Sequence, residues 1–224
     1  MTVPEQRAAT AWALDSPGAE GIRSLELRWI LPGQLPDATA SWFDRFPAVV
    51  ESRLDVYLPP LGGLSVKVRG GGPFEVKVYR GSPGILDVPG RAHGRMEYWQ
   101  KWSFPFDPPA QHGDEPEGWN KVHKTRRVSR FSLSGESSRT VSPGRSEEPG
   151  CAVELTKVRV GGEDWWTLGF EATGPAETLR PELEAAAALV FAQTPPAGLK
   201  FGIDDCRSYA EWLRQRPGAD AAHW

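Results

Sequence analysis

Residues 64–81 read LSVKVRGGGPFEVKVYRG. Val66, Val68, Val76 and Val78 fall on one side of two short runs, and Lys67, Arg69, Glu75 and Lys77 fall on the other. A period of two is the mark of a β-strand with two unlike faces. The Gly-Gly-Gly-Pro between the runs predicts a turn, and so an antiparallel hairpin. What the charged side faces is the question this stretch poses.

The same alternation recurs along the chain. In RSLELRWIL, Leu25, Leu27, Trp29 and Leu31 alternate with Ser24, Glu26 and Arg28. In VESRLDVYL, Glu51, Arg53, Asp55 and Tyr57 share one face. RMEYWQKW groups Arg95, Glu97, Trp99 and Lys101, and CAVELTKVRV places Glu154 with Thr156. WWTLGFEA sets Thr167, Gly169 and Glu171 opposite Trp166, Leu168 and Phe170. The basic segment WNKVHKTRRVSRF is a further strand whose register its sequence leaves open, because both faces carry charge. About eight strands result.

Helices are few. PDATASWFDRF predicts a short one with Asp37 as N-cap. AETLRPELEAAAALVFAQ favours helix, with Pro181 at a first-turn position or a kink. DDCRSYAEWLRQR reads as a last helix capped by Asp204 or Asp205. Residues 104–118 and 134–150 are rich in Pro, Gly, Ser and charge and read as loops. The expected organisation is a flexible segment over 1–20, a single domain over 21–216 and a tail over 217–224.

Composition narrows the function. With 224 residues and a formal net charge of −3, the chain is no polycation that would coat nucleic acid or an anionic membrane. No apolar run is long enough to span a bilayer, and the first residues lack the cationic start and apolar stretch of a leader. The expectation is a cytoplasmic protein without a membrane partner. Cys151 and Cys206 stand far apart and suggest ordinary thiols. The tryptophans, ten in all, fall mostly inside the periodic segments and read as packing residues. His93, His112 and His123 share no ligand spacing; His93 and His112 are expected in loops.

Antiparallel strands joined by short turns favour closure into a barrel, whose side chains alternate between lumen and exterior. Two readings are open. The apolar face fills the lumen and the charges are solvated, or the charges line the lumen. Glu26 with Arg28, Glu75 with Lys77 and Glu97 with Lys101 interleave both signs. Such a lining would satisfy itself and leave cations for a multiply charged anion, while its carboxylates offer the oxygen ligands that Mg²⁺ or Mn²⁺ prefers.

These motifs, in order from Ser24 to Leu213, resemble the CYTH proteins or triphosphate tunnel metalloenzymes. SLELR is similar to the opening E-x-E-x-K, RLDVY to R-x-D-x-Y, VKVR to the basic strand and FEVKV to E-x-K. VHKTR, LGFEA and SYAEWL resemble the later V-x-K-x-R, E-x-E and S-Y-x-E-L-L. The resemblance implies a mainly β fold, an eight-stranded antiparallel β-barrel of the triphosphate-tunnel type with a few peripheral helices. It implies metal-dependent hydrolysis of a triphosphate or polyphosphate, with Mg²⁺ or Mn²⁺ as cofactor. Nucleic acid is then expected as a partner only through a 5′-triphosphate end.

Carried onto this chain, Glu26 and Glu171 are the candidate catalytic residues, and Glu26, Glu154 and Glu171 the candidate metal ligands. Arg28, Arg53, Lys67, Arg69, Lys77, Lys101, Lys124 and Arg126 are the candidate substrate-binding cations. The chain departs from the pattern at Ser24 and Gly169, where the resemblance would place carboxylates. That loss favours an alternative, a non-catalytic module binding an anion or nucleotide. A third reading is a plain interaction barrel with all its charges solvated.

Overall fold

The structure is a computed structural model that describes residues 21–59, 61–105, 118–132, 139–141 and 149–216. The expected terminal segments 1–20 and 217–224, His112, and most of the two expected loops lie outside the described residues.

The chain forms a ring of eight antiparallel strands. These are β1 (Ile22–Pro32), β2 (Val49–Tyr57), β3 (Leu64–Arg69), β4 (Phe74–Val88), β5 (Ala92–Phe104), β6 (Asn120–Ser132), β8 (Gly150–Val160) and β9 (Glu163–Thr173). The order around the ring is β2-β3-β4-β5-β1-β9-β8-β6, and β6 pairs back onto β2 to close it. A ninth strand, the short β7 (Arg139–Val141), adds to β6; it falls inside a stretch whose composition predicts a loop.

The hairpin expected over 64–81 is formed by β3 and β4, with Val66 opposite Val76 and Lys67 opposite Glu75. Gly70 and Gly71 take positive φ of 57° and 71°, which only glycine adopts at little cost, and this lets the chain reverse before Pro73. The register left open in the basic segment is fixed by pairing on both sides. Arg126 faces Glu51 of β2 and Thr156 of β8, and Lys124 faces Arg53 and Val158.

Of the two readings of the barrel, the charged lumen is correct. Leu25, Leu27 and Trp29 of β1 point outward and are at most 2 % exposed. They join Leu155, Leu168 and Phe170 in a core closed by α2 (Ala176–Val190), through Leu179, Leu183 and Phe191, and by Phe43 of α1 (Asp37–Phe43). Each such side chain buried stabilises the fold by about 1.5–3 kcal/mol, so the apolar driving force lies between barrel and helices. The lumen is thereby left free for polar groups.

Trp29, Trp166, Trp212 and Trp99 are buried as expected, whereas Trp102, Trp119 and Trp165 are half-buried. A second apolar cluster sits at one end of the barrel. Ile30, Val122 and Val158 continue the lumenal faces of their strands and pack with Trp212 and Leu213 of α3 (Tyr209–Gln215). The last helix therefore plugs that end.

Helix starts differ from expectation. Pro36 precedes α1, and Asp37 is its first residue rather than its cap. Pro181 lies inside α2, beyond the first turn. Asp204 and Asp205 belong to a separate 3-10 turn, and Ser208 caps α3, accepting from the Glu211 amide at 3.2 Å. The Ser-x-x-Glu spacing was the better signal. His93 is not in a loop but near the start of β5, exposed beside Asp87; His123 lies on the exposed face of β6.

Candidate functional site

Period-two alternation delivers every candidate site residue to the lumen, because each occupies the strand face opposite the outer apolar core. Two connected chambers result. The chamber beside α3 is lined by Glu26, Arg28, Tyr57, Glu97, Lys124, Glu154 and Tyr209, among others. The second, about 170 Å³ in volume, is lined by Arg53, Lys67, Arg69, Lys77, Lys101, Arg126 and Arg130 against Glu51, Glu75 and Glu171. Arg53, Lys67, Lys77, Arg126 and Glu171 line both. In the second chamber cations outnumber carboxylates by seven to three.

Most of these charges are paired. Asp55, with no exposed surface, receives Lys124 at 2.9 Å and Lys67 at 3.2 Å, and Arg53 lies 3.0 Å away. Burial alone would raise its pKa. Lys124, Lys67 and Arg53 together outweigh burial and hold the carboxyl far below its usual range. Glu75 sits between Lys67 and Arg69, each at 3.2 Å, and those cations outweigh its burial to bring it to about 2.

Glu26 and Glu171 are direct cross-strand neighbours on β1 and β9, and Lys77 bridges them at 2.6 Å and 3.3 Å. Burial opposes the Glu171 charge, yet Lys77, Lys101 and Arg28 hold it near about 2. Lys77 is itself pushed upward, since Glu171 and Glu26 more than offset its desolvation. Glu154 binds both Arg28 and Arg126, with Arg126 Nε at 2.8 Å; although it is buried, these cations hold it well below its ordinary value.

Several lumenal residues escape the motif reading. Tyr209 lies under two cations, with Lys124 Nζ at 3.7 Å and Arg28 Cζ at 4.8 Å from its ring centre. Arg130 is 3 % exposed and donates to Thr173 at 3.3 Å. Glu97 lies opposite Glu26 on β5. Burial raises its pKa, and neither the Trp99 indole N–H at 3.1 Å nor Arg95 fully restores it. Period-two counting groups Glu97 with Lys101, although the family motifs give it no role, and would have found Arg130; Tyr209 comes from a helix, so strand periodicity gives no sign of it.

Two lumenal cations lack a carboxylate at ion-pair distance among the described residues: Arg130, which bonds only Thr173, and Lys101. Lys101 is 7 % exposed, lines the second chamber, and makes no hydrogen bond or ion pair with any described residue.

A closed antiparallel barrel with its apolar residues outside and ion pairs inside departs from the ordinary small barrel, whose lumen is filled by side chains. The chain has a closed eight-stranded antiparallel barrel with a charged lumen. Neither a family model nor a curated protein matches its sequence. Similar solved structures include a conserved hypothetical protein from Pyrococcus furiosus, with TM-score 0.40 and 15 % identity, covering 83 % of this chain and 98 % of that one. The mimivirus capping enzyme triphosphatase aligns with TM-score 0.39 and 12 % identity over 74 % of this chain and 89 % of its own. An RNA triphosphatase of S. pombe aligns with TM-score 0.38 and 9 % identity over 79 % and 80 %. No helix among the described residues of the tunnel is long and apolar enough to cross a membrane.

The expected metal ligands test poorly as a cage. Glu26 and Glu171 share the Lys77 ammonium, and Glu154 is taken by two guanidinium groups. Among the described residues no group of three or more His, Cys, Asp or Glu side chains is arranged to hold a metal ion.

Proposed function

We propose that the tunnel binds a multiply charged phosphate anion, a small-molecule triphosphate or a polyphosphate, in the chamber around Lys101. The observation that carries this reading is Lys101 itself. An ammonium group withdrawn from water and left unpaired costs several kcal/mol, and a bound anion removes that cost. Arg69, Lys77 and Arg126 line the same chamber. Together they can meet several phosphate oxygens with charge-assisted hydrogen bonds, each roughly twice as strong as a neutral one. Arg28, Arg53, Lys67 and Lys124 extend the positive lining toward α3.

Hydrolysis of the bound anion is the second reading, and one observation favours it. Glu97, Glu26 and Glu171 form a lumenal row across β5, β1 and β9. Within it Glu97 has the raised carboxyl suited to accepting a proton from water, while Lys77 and Lys101 hold the Glu171 carboxyl low. The described residues do not offer a site for Mg²⁺ or Mn²⁺, so no step of this reading passes through a metal.

The test is calorimetric titration with tripolyphosphate, nucleoside triphosphates and thiamine triphosphate, with phosphate release followed in the same samples. Saturable binding that weakens in Lys101→Met supports the anion tunnel. Release abolished in Glu97→Gln, with binding intact, supports hydrolysis. Absence of binding by every phosphate refutes both.

A further inference from the structure

Three features coincide at Glu26, Glu154 and Glu171, the carboxylates that the sequence resemblance implies as metal ligands. The first is that one oxygen of Glu26 is doubly engaged. Its Oε1 accepts from Lys77 Nζ at 2.6 Å and from Ser24 Oγ at 2.7 Å, and Ser24 is only 2 % exposed. Serine at this position thus donates to the carboxylate instead of supplying a second one. The same ammonium reaches Glu171 Oε1 at 3.3 Å.

The second feature is at Gly169. A Cβ placed there would lie 2.6 Å from Arg28 Nη1 and 2.7 Å from its Cζ. The guanidinium therefore fills the space that any side chain at 169 would need. Arg28 is fixed there by Glu154 and by Thr167 Oγ1 at 3.1 Å. The absence of a side chain at 169 and the position of Arg28 are one arrangement.

The third is charge. Magnesium binds at about 2.0–2.1 Å in near-octahedral oxygen geometry and keeps several waters. An ion approaching Glu26 or Glu171 at that distance would meet the Lys77 ammonium, and one approaching Glu154 would meet Arg28 and Arg126. Each carboxylate already has a protein cation at ion-pair distance, Glu26 and Glu171 sharing Lys77.

We infer that Lys77 and Arg28 are resident cations standing where a divalent ion would sit, so that the tunnel takes its phosphate ligand as the free anion, without metal. This rests on the anion-binding reading above. It changes the ligand class: the tunnel selects uncomplexed tripolyphosphate or an equivalent polyanion over its magnesium complex, because Mg²⁺ on the phosphate oxygens repels the lumenal cations and occupies their acceptors.

Calorimetric titration of the full chain with sodium tripolyphosphate, in EDTA and again in excess Mg²⁺, tests this. Binding is expected in EDTA, and excess Mg²⁺ is expected to weaken it by roughly tenfold or more. In parallel, the spectrum of added Mn²⁺ followed by electron paramagnetic resonance should remain that of the free ion with the wild-type protein. Lys77→Ser, which leaves Glu26 and Glu171 facing each other, should bind Mn²⁺ and gain thermal stability from it.

Tripolyphosphate binding that appears only with Mg²⁺ or Mn²⁺, or stoichiometric Mn²⁺ uptake by the wild type, would overturn the inference. Lys77→Ser that folds and takes up no Mn²⁺ would do the same for the place given to Lys77. The wild-type titrations decide the matter if that variant does not fold. Failure of tripolyphosphate to bind under either condition refutes the anion tunnel itself, a result distinct from metal-dependent binding.

Discussion

Replacing Lys101 with methionine should make the unliganded protein more stable and the liganded one weaker, a pairing that a merely structural lysine would not produce. The side chain is 7 % exposed and unpartnered among the described residues, so its charge is held out of water without a counter-ion at bonding distance. Methionine keeps the unbranched length and removes the charge. An unpaired buried ion carries a penalty of several kcal/mol. Against this, Lys101 attracts the carboxylates of Glu75 and Glu171. Both keep closer cations when it is gone: Glu171 retains Lys77 at 3.3 Å, and Glu75 retains Lys67 and Arg69 at 3.2 Å.

The balance is a stabilisation of about 1 kcal/mol, hence a rise in Tm of roughly 2–4 °C for a chain of this size. Binding moves the other way. A hydrogen bond to a charged group contributes about 1.5–3 kcal/mol, so its loss weakens tripolyphosphate by roughly 10- to 150-fold. Differential scanning calorimetry without ligand and isothermal titration with it give the two numbers. A lower Tm with undiminished affinity would refute the reasoning, since Lys101 would then be a structural cation and not a vacant ligand site.

Four further outcomes follow from the geometry. Asp55→Asn leaves Lys124, Lys67 and Arg53 without their buried counter-charge and should destabilise the barrel by about 3–5 kcal/mol in urea titrations. Acid should act on the same pairs. Glu75 and Glu171 sit near about 2 in the folded chain, and Asp55 and Glu154 are also depressed. Their stabilisation is complete above the unfolded carboxyl value of roughly 4 and is lost as the pH falls toward 2, which thermal melts across that window would show. Ser208→Ala removes the α3 cap and should cost about 1 kcal/mol in chemical denaturation, loosening the plug. Burial pushes the Cys206 thiol up to about 11 and the Cys151 thiol higher still, so neither should react with iodoacetamide at neutral pH until the protein is denatured, as mass spectrometry of alkylated peptides would report.

The barrel was legible because period-two alternation is a local signal, and β1, β3, β4 and β9 carry it cleanly. Which face turned inward was not, because alternation fixes two faces and not their environments. That choice was made by α2 and by Phe43 and Phe191, which cover the apolar side, while the apolar residues inside the ring are confined to the end that α3 plugs. The β6 register was hidden for a different reason: Lys124 and Arg126 face the lumen while Lys121 and Arg127 face outward. Only pairing with β2 and β8 distinguishes the two sets.

The cations of the candidate site were all placed in the lumen by their motifs. Their partners were harder to see. Asp55 and Lys67 meet across a strand pair, but Arg28 meets Glu154 from 126 positions away, across the intervening β9 that pairs with both their strands. The departures at Ser24 and Gly169 were visible as missing carboxylates. What filled their places was not, because it depends on the direction of Arg28 and Lys77 within the lumen.

The seam between β2 and β6 bears on how the chain acquires its shape. Ser52 and Thr125, bonded across that seam, are 73 residues apart, and Arg28 finds Thr167 across 139. Proteins dominated by such distant pairings fold slowly, in milliseconds to seconds, because loop entropy is lost before the contacts form. Until the seam closes, the lysines and arginines of the interior remain hydrated on open sheets. Closure is therefore the step that desolvates them, and a polyanion present during refolding should act as a template for it, drawing opposite edges together around its own charge.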